Sequence, residues 1–84
     1  MSTLPNEFPI MRRTEDGKHL YRIDGMERFT ELQRIGSRWV VYDVRASAYP
    51  EKVRIMEMID GDGGRYVPLA EGEWDKVFRT LGEG

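Results

Sequence analysis

Eighty-four residues suffice for one small domain with a thin core and are too few for two. Hydrophobic residues at 39% and charged residues at 33%, with three Phe, four Tyr and two Trp, describe a globular chain instead of a disordered one. A formal net charge of −2 gives no global pull toward nucleic acid, and the lack of cysteine excludes disulfides, thiolate metal sites and cysteine nucleophiles.

Residues 1–7, MSTLPNE, read as a loose lead-in to a single domain spanning 1–84. The opening MSTLPNEFPIMRR has the wrong order of charge and apolar residues for a secretory signal. No apolar run approaches the roughly 20 residues that span a bilayer. The expectation is a cytoplasmic protein without a membrane partner.

Phe8 to Arg13 reads as a first strand, followed by an Asp16-Gly17 turn. HLYRI, residues 19–23, is a second strand with His19, Tyr21 and Ile23 on one face. MERFTELQRI, residues 26–35, is open to two readings. Asp24 and Glu27 are spaced as a helical capping box, but Met26, Phe29, Leu32 and Ile35 recur every third residue and drift around a helix. The compact Gly36-Ser37 turn that follows favours a strand.

RWVVYDVRA, residues 38–46, alternates clearly, with Val40, Tyr42, Val44 and Ala46 on one face and Trp39, Val41, Asp43 and Arg45 on the other. The first set is the better core face. Pro50 then breaks the pairing. KVRIMEMI, residues 52–59, could be a helix opened by Pro50 and closed by Gly61. Its apolar residues spread over more than half of a helical wheel, so the preferred reading is a strand with Arg54, Met56 and Met58 on one face. In EGEWDKVFRTLGEG, Trp74, Val77, Phe78 and Leu81 form one stripe at i, i+3, i+4 and i+7, which predicts a C-terminal helix with Trp74 and Phe78 in the core. The expected fold is α+β: a small antiparallel β-meander of four to six strands with one C-terminal α-helix packed on one face.

Candidate chemistries fall away one by one. DGDGG at 60–64 invites comparison with a calcium loop, since Asp60, Asp62 and Glu71 fall at positions 1, 3 and 12. Position 5 is Gly64 and position 6 is Arg65, where a ligand and a glycine are required. A flexible hairpin turn into RYVPL explains the stretch better, and no metal is expected. The single histidine, His19, has no sequence pattern joining it to a nucleophile. Glu57 is the one carboxylate inside an apolar run, so an enzyme would have to use it as a buried acid. No phosphate loop or other cofactor motif is present.

What remains is a surface. Between Arg12 and Arg54 ten basic residues face seven acidic ones, and arginine dominates. Trp39, Val41 and Arg45 turn away from the expected core face, with Met56 and Met58 expected beside them. Aromatic, arginine and methionine side chains together suit a protein contact. The expectation is a non-enzymatic interaction module that binds another protein or its own copy. Single-stranded nucleic acid stacked on the sheet is the alternative.

Overall fold

The computed structural model describes residues 8–70 and 72–82. Five strands form one antiparallel sheet: β1 (Ile10–Thr14), β2 (His19–Gly25), β3 (Arg28–Ile35), β4 (Arg38–Arg45) and β5 (Tyr66–Pro68). Two helices, α1 (Tyr49–Asp60) and α2 (Glu73–Gly82), complete the fold. The strand order is β4-β3-β2-β1-β5, so β1 to β4 form a meander and β5 returns beside β1. Among the described residues no helix is long and apolar enough to cross a membrane.

Turn chemistry sets the meander. Gly17 takes φ 74 and donates its N–H to the Thr14 carbonyl at 2.9 Å. Asp16 fixes the same turn by accepting from Thr14 Oγ1 at 2.7 Å and from the Lys18 N–H at 3.0 Å. Those hydrogen bonds hold its carboxyl below the usual range. The segment 26–35 is a strand for most of its length, because Phe29 and Leu32 enter opposite cores.

Helix α1 corrects the expected strand over 52–59. Pro50 sits in its first turn and Gly61 closes it with φ 98, donating its N–H to the Glu57 carbonyl at 2.8 Å. Ile55 and Met58 carry most of its apolar contact and are fully buried. DGDGG therefore links a helix to a strand, through a 3-10 turn at Asp62–Gly64, and does not join two strands. Arg12 on β1 ties down the far end of α1 by donating to the Met58 and Ile59 carbonyls, each at 3.2 Å. A cation there also suits the negative end of the helix dipole.

The two helices cover opposite faces. Ile10, Tyr21, Ile23 and Phe29 pack with Ile55 and Met58 under α1. Leu20 and Leu32 pack with Trp74, flanked by Trp39, Val77 and Leu81, under α2. The second cover exists because 49–60 is a helix, so the expectation of one helix on one face is extended by a layer. Phe78 also departs from expectation: it is 50% exposed and only stacks beside Trp74, with ring centroids 6.1 Å apart. Trp74, Val77 and Leu81 take the sheet-facing side of α2 and leave Phe78 at its flank.

These burials separate two similar substitutions. Trp74→Ala is expected to cost about 3–5 kcal/mol in urea unfolding, and Phe78→Ala no more than about 1.5 kcal/mol. Gly61→Ala should cost about 1–2 kcal/mol in the same measurement, because its left-handed backbone resists a Cβ.

Candidate interaction surface

β4 is an edge strand of eight residues, paired with β3 without a register shift and containing no proline. The Ala46 N–H donates to the Glu27 carbonyl at 2.6 Å, which shows that even-numbered residues here turn their main chain toward β3. By strand alternation, the N–H and C=O groups of Trp39, Val41, Asp43 and Arg45 point outward from the sheet. The other edge differs: β5 has three residues and ends in Pro68. Short strands, proline and charged side chains all discourage further pairing at an edge; β4 has neither of the first two and carries its charges at Arg38, Asp43 and Arg45, around the apolar pair Val41 and Tyr42.

The side chains of β4 expose apolar surface on both faces. Val41 is 46% exposed on the α2 side, and Tyr42 is 42% exposed on the α1 side. A groove of about 350 Å³ runs beside Trp74, Phe78 and Leu81 of α2, from Val41 and Asp43 of β4 across Thr30 of β3 to Arg22 and Asp24 of β2. Trp39 is half-buried against the α2 core, so it is partly a structural residue. Arg45 is exposed and stands directly opposite Arg28 of β3. That pair is of the type without hydrogen bonds between the two residues, in which side chains come closest. Like charges so placed repel.

Trp39, Val41 and Arg45 thus share one face of one strand, as the alternation of 38–46 implies. Met56 and Met58 do not join them. Both lie on α1 across the sheet, and a helical step of two residues sends them in different directions. Met58 is wholly buried in the core, whereas Met56 is 49% exposed. The same change of period places Glu57 on the open surface of α1, which removes it as a buried acid.

A polar cluster lies on the α1 side of the sheet. Glu31 of β3 is buried, and its Oε2 lies 2.7 Å from His19 Nδ1 of β2. Its Oε1 is 3.6 Å from Arg54 Nη2 of α1. The Arg54 guanidinium also sits over the rings of Tyr21 and Phe29, at 5.7 and 5.5 Å from their centroids. Glu31 faces Tyr21 in register, which makes His19 its diagonal neighbour. A carboxylate that holds a histidine can orient a base, but among the described residues the ring has no third hydrogen-bonded partner. The arrangement joins two strands to α1 and works as a polar clamp.

Among the described residues the loop after α1 gathers no ligand set. Asp62 pairs with Arg65 at 3.6 Å, Asp60 ends α1, and Glu71 lies outside the described residues. Among the described residues no group of three or more His, Cys, Asp or Glu side chains is placed to hold a metal ion. No protein-family model, curated protein or solved structure matches the chain.

Burial, followed by the nearby Glu31 carboxylate, pushes the Tyr21 hydroxyl up from 10.0 to about 12. The folded state holds this proton more tightly than the unfolded chain. Its contribution to stability is therefore complete below pH 10 and is lost as pH rises toward 12. Ultraviolet titration of the phenols should show one late-ionising tyrosine, and Tyr21→Phe should remove that step.

Proposed function

We propose that this chain is a non-enzymatic interaction module that takes a second polypeptide strand at the β4 edge. The observation that carries the reading is the contrast between the two edges: β5 is short and ends in proline, while β4 is long, unbroken and, among the described residues, open. Strand addition supplies affinity through main-chain hydrogen bonds and specificity through alternate side chains. Val41 and Tyr42 would give the added strand an apolar neighbour on each face. The groove beside Phe78 would receive side chains from the same strand. Nucleic acid is less well supported, because α2 packs on the sheet face where Trp39 would have to stack bases.

Proline at position 41 tests the reading with little harm to the fold, since it removes an N–H directed away from β3. Wild-type chain immobilised on resin should retain a polypeptide, either its own copy or another protein. Val41→Pro, with its thermal midpoint preserved, should retain none. Equal retention by the two proteins would remove the β4 edge from the function.

A further inference from the structure

We infer that the strand taken up at β4 is β4 of a second copy, paired antiparallel about Val41 in a two-fold dimer. The inference rests on the open-edge reading above and adds the identity of the occupant. A two-fold axis perpendicular to the sheet makes each face continuous across the two copies. It also requires one residue of β4 to face its own counterpart, which leaves only a few registers to compare.

Centring on Asp43 sets two carboxylates directly opposite each other, and like charges so placed are unfavourable. Centring on Tyr42 places the same two aspartates on a diagonal, still within reach of one another. Centring on Val40 shortens the overlap and brings the Gly36-Ser37 turn into the interface. Centring on Val41 avoids all three faults. Val41 then meets Val41, and Val40 meets Tyr42 on the other face, twice by symmetry. Aromatic and β-branched side chains make favourable cross-strand pairs. Trp39 meets Asp43 of the second copy, where an indole N–H can donate to a carboxylate. No arginine faces an arginine across this interface, and Arg45 lies diagonal to Trp39 of the second copy, within reach for a cation–π contact.

Main-chain geometry agrees with the side chains. Val41 belongs to the outward-pointing set, so the two central residues exchange both N–H···O=C bonds. The outward groups of Trp39 and Asp43 pair in the same way. The result is a continuous sheet of ten strands, with both α2 helices on one face flanking the Val41 pair and both α1 helices on the other. Val41 and Tyr42, exposed in the single chain, become covered together.

Sedimentation and light scattering across a dilution series test the inference. The expected result is a concentration-dependent rise from 9.8 kDa to about twice that mass. Val41→Pro removes both central hydrogen bonds and should stay at the lower mass. Tyr42→Lys, which leaves the main chain intact, should shift the midpoint of association at least tenfold toward higher concentration. Hydrogen exchange at high concentration should protect the amides of Trp39, Val41 and Asp43, and dilution should release them. A wild-type chain that remains at 9.8 kDa throughout would overturn the dimer, as would a dimer that survives both substitutions. A monomer that still captures another protein in a Val41-dependent way would refute the second copy while leaving the open-edge reading intact.

Discussion

A sheet that is apolar on both sides needs two covers, and among the described residues two short helices supply them. α1 packs over β1 and β5, and α2 packs over β4 from the opposite side. Each core is complete beneath its helix: Phe29 and Ile23 are closed off by Ile55 and Met58, and Leu20 and Leu32 by Trp74. Because α1 sits toward one edge, the outer strand is left bare on that face at Tyr42. Because α2 is narrow, Val41 stays half open on the other. The exposed apolar positions of β4 follow from this stagger.

The clamp of His19, Glu31 and Arg54 belongs to the same economy. Arginine serves here as much by its flat, weakly hydrated head as by its charge. It covers Tyr21 and Phe29 at the rim of the α1 core while reaching a buried carboxylate. Arg12 does a related job at the end of α1. Two arginines from different elements therefore fix the pose of a helix whose own apolar stripe is thin. Arg12 and Arg54, two of the eight arginines from Arg12 to Arg54, are thus structural.

The last helix and the second and fourth strands were legible from the spacing of apolar residue types, and the third was legible only with the help of the Gly36-Ser37 turn after it. RWVVYDVRA alternates in residue type, but its burial does not follow: Tyr42 of the expected core face is exposed and Trp39 of the other face packs under α2. Trp74, Val77 and Leu81 recur at helical spacing, although Phe78 shows that a stripe can be wider than the surface it covers. Residues 52–59 scatter their apolar positions and show no clear period, so the helix is marked by the punctuation at Pro50 and Gly61. A strand there would set Met56 and Met58 on one face, whereas the helix buries Met58 and turns Met56 and Glu57 to the surface. The pairing of His19 with Glu31 could not be read along the chain. It depends on the β2–β3 register, which shifts between Ile23 and Gly25.

Pro68 and the brevity of β5 decide how any association through this sheet must end. A subunit with two receptive margins can add neighbours without limit and grow into a filament. A subunit with one can only be satisfied once, and the resulting particle is finite. In an association through β4, the three residues that finish the sheet beside β1 would leave no second long margin from which a fibre could grow.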